Sequence, residues 1–448
     1  MYINLITIDL CPGQGGGGVK PSGTLEISEN GVYDVYSYAS ASVDVHPSAS
    51  LSETYISNGN YNITGEFNGG VITVDVPAPQ FVTETLNVSE NGTYNPGQGI
   101  DGYSQVVVDV PQSVTGYTQK ELTEGGVCIT YLNNSASFVG SSAFVGNSCL
   151  TTVDLPMCKT VYGYAFIDCN SLTTVDLPMC EEVSYRAFNR CYSLTTVNLS
   201  MCKKLNDNAL EGCSSLSAID LPVCSYIGIT VFQSCRSLRT VNLPICEKIG
   251  QETFQSCLSL SSVNLPVCSY IGYNAFLGCS SLSEIDLPMC NYISDNVFNG
   301  CKSLSSVNLP VCSYIGGRAF LGCSSLSAID LPMCNYIGRS AFQSCYSLSS
   351  INLPMCKNVG YNAFWNCYSL SSINLPVCEI IDEWAFENCS NLNYVYIGTE
   401  ISKVCVLKGT NAFSGCSALT SIYVPTSLVE SYKTATNWTY YSDKIFGI

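Results

Sequence analysis

Leu172-Thr-Thr-Val175-Asp-Leu177-Pro178-Met-Cys180-Glu-Glu-Val183-Ser-Tyr-Arg-Ala187-Phe188-Asn-Arg-Cys191-Tyr-Ser193 is one copy of a unit that recurs every 22 residues. Its opening leucine returns at Leu150, Leu172, Leu194, Leu216, Leu238, Leu260, Leu282, Leu304, Leu326, Leu348, Leu370 and Leu392 without an insertion. A unit of this length is too small to bury its own apolar face, so neighbours must stack and share one core. With Leu172 as position 1, apolar residues at positions 1, 4 and 6 give a strand with positions 3 and 5 facing solvent. Proline at position 7 then ends the strand, because it has no N–H for a ladder; Ser200 is the one departure. Position 12 is Val or Ile apart from Leu205, positions 16 and 17 are usually Ala-Phe, and the second half of the unit turns back to place an aromatic in the core. The expected fold is a β-rich leucine-rich-repeat solenoid, with one short strand per coil plus a turn or short helical segment, preceded by small all-β modules.

Outward from the array, residues 426–448 read as a C-terminal cap that closes residues 150–425 with a last strand, a helix and an aromatic plug around Trp438. After Leu392 a five-residue excess interrupts the period before Ala412-Phe413, Cys416 and Leu419 restore it. Residues 112–149 form an atypical N-terminal cap in which Ser142-Ala143-Phe144 anticipates the repeat. Residues 24–111 hold three looser modules marked by Asn30-Gly31-Val32-Tyr33, Asn58-Gly59-Asn60-Tyr61 and Asn91-Gly92-Thr93-Tyr94. Asn-Gly between alternating runs predicts a hairpin, since both residues accept positive φ. Residues 1–23 combine an alternating strand with the glycine-rich hinge Gly13–Gly18. Tyr2, Ile3, Leu5, Ile6 and Ile8 there are candidates for attachment to another chain, with a frayed terminus as the alternative.

Eighteen Lys and Arg against 35 Asp and Glu give a formal charge of −17, which disfavours nucleic acid and anionic membranes as partners. No apolar run is long enough for a membrane-spanning helix, and the start has no basic segment of the kind that opens a signal peptide. Charged residues make up only 12% of the chain, so its polar surface comes from Ser, Thr, Asn and Tyr.

Of the 27 cysteines, 11 fall at position 9 (Cys158 to Cys378) and 12 at position 20 (Cys169 to Cys389, then Cys416), forming two columns. Buried thiols that fill coil corners are one reading; disulfides or a metal site are the other. Parallel Cβ vectors in stacked coils strain a disulfide, and His46 is the one imidazole, so packing is expected, with no cofactor and no metal. Ser-His and Cys-His catalysis lose their usual base for the same reason, and no enzyme is expected. Candidate contact residues are the in-phase tyrosines of position 11, Tyr226, Tyr270, Tyr292, Tyr314 and Tyr336, which either recognise a ligand or cover the edge of their own coil. A second candidate is the polar column of position 5, Asp220, Asn242, Asn264, Asp286, Asn308 and Asp330, which is either simply solvated or in contact with ligand. Position 15 varies most, from Arg186 and Thr230 to Glu252 and Trp384.

Ala165-Phe166-x-x-Cys169-x-Ser-Leu172 and Ala319-Phe320-x-x-Cys323-x-Ser-Leu326 resemble the unit of the BspA-type bacterial leucine-rich-repeat family, across residues 140–425. That resemblance implies a solenoid adhesin or interaction protein with no catalytic residues to carry over. The Asn-Gly-x-Tyr modules and the ending from Tyr423 to Trp438 are similar to segments common in proteins of gut bacteria and their phages, often near tail genes. The lack of a signal-peptide start, the hinged N-terminal strand, the three tandem β modules and the uncharged polar array together predict a phage virion component: a tail-fibre, baseplate or head-decoration adhesin. Residues 1–111 would dock on other virion proteins and the solenoid would meet host polysaccharide or surface protein; host-binding fibres are often oligomeric, so a homotrimer is one arrangement, with the subunit count left open. A bacterial cell-surface or secreted adhesin is the alternative, and a carbohydrate hydrolase the remote third.

Overall fold

The computed structural model describes residues 137–448, apart from 149, 399 and 401, together with the backbone of short strands between Ile6 and Leu132. The chain divides into two compact units, 1–220 and 221–448. Within each, between residues 150 and 381, coil follows coil in parallel, with the pairing offset by one 22-residue period.

Two strands form in every regular coil, one more than the sequence predicts. In the first unit Thr174–Asp176 is followed by Glu182–Val183; in the second Ser262–Asn264 is followed by Tyr270–Ile271. Each pairs only with its equivalents: Thr174 with Thr196, Val175 with Val197 and Asp176 with Asn198 on one side of the coil, and Tyr270 with Tyr292 and Ile271 with Ile293 on the other. The register is fixed because a one-residue slip would turn the buried Val column out to water. Between the strands the chain rounds a corner at Pro and Cys.

The rest of the coil is a run of turns, not a helix. Positions 15 and 19 lie in the left-handed region throughout, for example Asn274 at φ 57° and Gly278 at φ 76°. These bends aim alternate N–H groups at the adjacent coil: the amides of Asn274, Phe276 and Gly278 donate to the carbonyls of Asp295, Val297 and Asn299. The intervening amides close local turns, as Ala275 does onto Gly272. Backbone groups are thereby paired without a helix, and among the described residues the one α-helix is Val429–Thr434 in the cap.

The core repeats with the coil. Leu260, Val263, Leu265, Cys268, Ile271, Ala275, Phe276 and Cys279 are all buried. Phenylalanines of position 17 stack face to face, Phe144 on Phe166 on Phe188 in the first unit and from Phe232 to Phe413 in the second, with centroids 4.9–5.5 Å apart. Burying one such ring contributes about 1.5–3 kcal/mol, and each stacked neighbour roughly 0.5–1.5 kcal/mol more.

The expected hairpins need correction. Asn58-Gly59 does join an antiparallel pair, Thr54–Ser57 with Asn60–Ile63. At Asn30-Gly31 and Asn91-Gly92 the flanking strands do not pair with each other. Gly23–Ile27 runs parallel to Ala41–Val45, and Glu84–Asn87 parallel to Gln105–Asp109. Residues 28–32 and 88–91 separate the strands there, too long a connection for the two-residue turn that locks a hairpin. Gln105–Asp109 in turn pairs with Cys128–Leu132 and the latter with Leu150–Asp154, so solenoid pairing is already present well before residue 150. Of the attachment candidates, Ile6 belongs to a two-residue strand, Ile6–Thr7, paired with Tyr33–Asp34; Tyr2, Ile3, Leu5 and Ile8 lie outside the described residues, as does His46.

Candidate binding surfaces

Strand and turn geometry sort the exposed side chains into columns. On the first strand, position 5 forms a hydrogen-bonded polar ladder. Asn198 donates to Asp176 at 2.6 Å, Asn264 to the Oδ1 of Asn242 at 2.8 Å, Asn308 to Asp286 at 2.7 Å and Asn352 to Asp330 at 2.8 Å. Asp220 and Asp286 are exposed. The alternation of Asp and Asn supplies each carboxylate with an amide donor one coil away. Where the alternation fails, Asp154 sits beside Asp176; burial, and then that neighbouring charge, push its carboxyl pKa up. Serine and threonine of position 2 continue the theme, as Thr195 donates to the Thr173 carbonyl and Ser305 to that of Ser283. Much of this face is therefore occupied by its own inter-coil bonds.

On the second strand, Tyr270, Tyr292, Tyr314 and Tyr336 form one stack. Ring centroids are 6.4, 4.7 and 4.8 Å apart and the planes within 9° of parallel. Tyr226 is exposed and separate, since the coil after it carries Lys248 at the equivalent position. At 4.7–4.8 Å no ligand enters between rings, so Tyr292 and Tyr314 cover each other's faces and offer edges and hydroxyls. Burial, with Tyr292 and Tyr336 alongside, pushes the Tyr314 hydroxyl up to about 12, so it stays protonated at neutral pH. Tyr270 and Tyr292 are exposed, and Tyr314 and Tyr336 are half-buried within the row.

Position 8 carries a surface the sequence reasoning missed. Met157, Met179 and Met201 in the first unit, and Ile245, Val267, Met289, Val311, Met333 and Met355 in the second, all stand out at the corner between the two strands. Met289 is 57% exposed and Met333 55%. Hydrophobicity at this position reads as core, and nothing in one repeat distinguishes it. The available signal was the proline immediately before it, which ends the strand and rotates the next side chain out of the coil.

The cysteines are packed. All described thiols are free, and only Cys416 is less than fully buried. Position 20 donates to a phenylalanine carbonyl of the preceding coil, as Cys279 does to Phe254 and Cys323 to Phe298. Position 9 closes onto its own chain, as Cys268 does on the Tyr270 carbonyl. Burial pushes these thiols up, Cys290 to about 11 and Cys158 to about 12, so they are protonated at neutral pH.

At the end of the second unit, cap aromatics satisfy the last coil through their polar atoms. Trp438 Nε1 donates to the Cys405 carbonyl at 2.7 Å, the Cys405 amide to Tyr432 Oη at 2.9 Å and the Phe413 amide to Tyr441 Oη at 3.2 Å. The strand Ile445–Gly447 pairs with Ser421–Val424.

Stacked two-strand coils, a leucine and phenylalanine core and three exposed columns define a leucine-rich-repeat solenoid. The chain belongs to the BspA type leucine rich repeat family, whose model matches residues 137–257, 247–369 and 313–441. The match does not reach the Asn-Gly-x-Tyr segments. No curated protein sequence matches the chain. Among solved structures it is similar to a leucine-rich repeat protein from Bacteroides ovatus, at 21% identity over 89% of this chain and 98% of that one, with a TM-score of 0.60. A leucine rich cell surface protein from Faecalibacterium prausnitzii is 22% identical over 78% of this chain and 93% of that one, TM-score 0.39. The pneumococcal vaccine antigen PcpA is 13% identical over 90% and 98%, TM-score 0.43. Proteins of the BspA-type family are generally non-enzymatic binding proteins, typically extracellular or at the cell surface. Among the described residues no helix is long and apolar enough to cross a membrane.

Proposed function

We propose that this is a non-enzymatic adhesion protein displayed outside a bacterial cell, and that it meets a protein partner along the corner between the two strands. The column of exposed Met, Val and Ile at position 8 carries this reading. Such continuous apolar exposure marks an interaction surface, and unbranched methionine adapts to irregular partners. A saccharide fits this corner less well, because the tyrosines beside it have their ring faces covered by one another. Family membership supports the bacterial setting. The virion alternative, with residues 1–111 docked on a phage particle, draws on sequence features alone.

Binding of labelled protein to intact host cells tests the proposal. Replacing Met289, Met333 and Met355 together by serine is expected to reduce binding at least about tenfold with an unchanged melting temperature, and protease treatment of the cells is expected to abolish it. Binding by the Met289, Met333 and Met355 serine variant at the parent's level would overturn the protein-partner reading. Mass spectrometry of shed surface proteins against purified phage particles separates the two settings.

A further inference from the structure

The C-terminal end of the second unit holds a cleft of about 540 Å³ between the last coil and the cap, lined by Asn411, Ser414, Ser417, Tyr440, Asp443 and Lys444 among others. A volume of this size lies in the range of small-molecule sites. Three observations concern what it takes. Tyr440 is 70% exposed, and its one ring contact is edge-to-face with Tyr441 at 5.0 Å, so a face of the ring is open, unlike those in the stacked row. Asn411 Oδ1 is buried and receives no hydrogen bond, an acceptor left without a donor. Glycine at 409 leaves room for it, since a Cβ there would lie 2.5 Å from this oxygen.

Around these lie groups of both hydrogen-bonding senses. Asp443 is exposed and offers a carboxylate; the Ser414 and Ser417 side chains are also exposed, with Ser417 Oγ donating to the Ser390 carbonyl. Lys444 Nζ donates to the Leu419 carbonyl at 3.1 Å and keeps further N–H donors, since an ammonium has three. A single lysine beside a carboxylate makes a poor phosphate site. A sugar ring matches the set: its C–H face lies on an open aromatic ring and its hydroxyls donate and accept around the rim.

We propose that this cleft binds a neutral saccharide residue, with Tyr440 as the stacking platform and Asn411 and Asp443 as acceptors for its hydroxyls. The site is separate from the corner assigned to a protein partner and does not depend on that assignment. Saturation-transfer NMR and calorimetry with glucose, galactose, mannose and N-acetylglucosamine test it on the full chain. At least one sugar is expected to bind. Tyr440→Ala and Asp443→Asn should each weaken it about tenfold, whereas Tyr440→Phe, which keeps the ring, should retain most of the affinity. Both side chains are exposed, so melting temperatures should not move. The Met289, Met333 and Met355 serine variant should bind sugar as the parent does, which keeps failure at the corner distinct from failure at the cap. Absence of binding by all four sugars, or undiminished binding by Tyr440→Ala, would overturn the assignment.

Discussion

Single positions in this repeat carry a penalty that the repetition conceals. Position 15 needs a left-handed backbone in every coil, yet it accepts Asn274 and Asn296, for which that conformation costs little, and Thr230, for which it costs more because its β-carbon is branched. Thr230→Asn is therefore expected to stabilise the second unit by about 0.5–1 kcal/mol, read as a shifted urea midpoint at constant slope. Asp154 is a second such position. Its carboxyl is raised by burial and by Asp176, so the native state holds a proton that the unfolded chain releases, and stability falls as pH climbs from the ordinary carboxylate range through the raised value. Asp154→Asn removes that dependence and adds a donor for Asp176, as Asn198 already provides. The variant should be more stable by about 0.5 kcal/mol at neutral pH and low salt, with no advantage at pH 3. If the advantage persists at pH 3, the like-charge account is wrong.

At the scale of one coil, the phenylalanine stack is the costliest part to lose. Phe320 is fully buried between Phe298 and Phe342, 5.2 and 5.1 Å away. Phe320→Ala should cost about 3–5 kcal/mol, and Phe320→Leu much less, because Leu210 occupies the same position in the first unit and is buried there. Thermal melts of the two variants check the ordering. The first strand, the core and the proline stop were legible in the sequence because burial at positions 1, 4, 6, 12 and 17 leaves a period that chemistry alone reveals. The second strand was not: a two-residue strand such as Tyr270–Ile271 is too short to show alternation. Nor was the turn conformation, since positions 15 and 19 obey a backbone rule that almost any side chain tolerates. The exposed column at position 8 was hidden for a third reason, since methionine looks the same whether it faces in or out. The solenoid strands before residue 150 escaped notice because Gln105–Asp109 and Cys128–Leu132 keep the pairing without the in-phase leucine that marks a repeat, Ile129 standing opposite Leu150.

At the scale of the whole molecule, a stack of like coils is stable only if its ends are covered. The second unit ends on Phe413, Cys405 and Leu407, whose free backbone groups and apolar faces are met by Tyr432, Asn437, Trp438 and Tyr441. A chain stopped after Pro425 exposes all of them. It should self-associate on size exclusion, and its last coils should lose amide-exchange protection before the others. The parent's degree of association, with full protection, would mean that the cap is dispensable. The formal charge of −17 works in the same direction as the cap, keeping copies of the chain apart at low ionic strength.

The invariance of the 22-residue offset also bears on how such a gene can change. Recombination between copies that deletes or duplicates one whole period hands every remaining coil a neighbour of the same chemistry, so the array can lengthen or shorten in a single genetic event. A frame-preserving change of any other size displaces one coil against the next. It survives only where the pairing is kept across the surplus, as it is where Ile380 pairs with Val406 and Ile381 with Leu407.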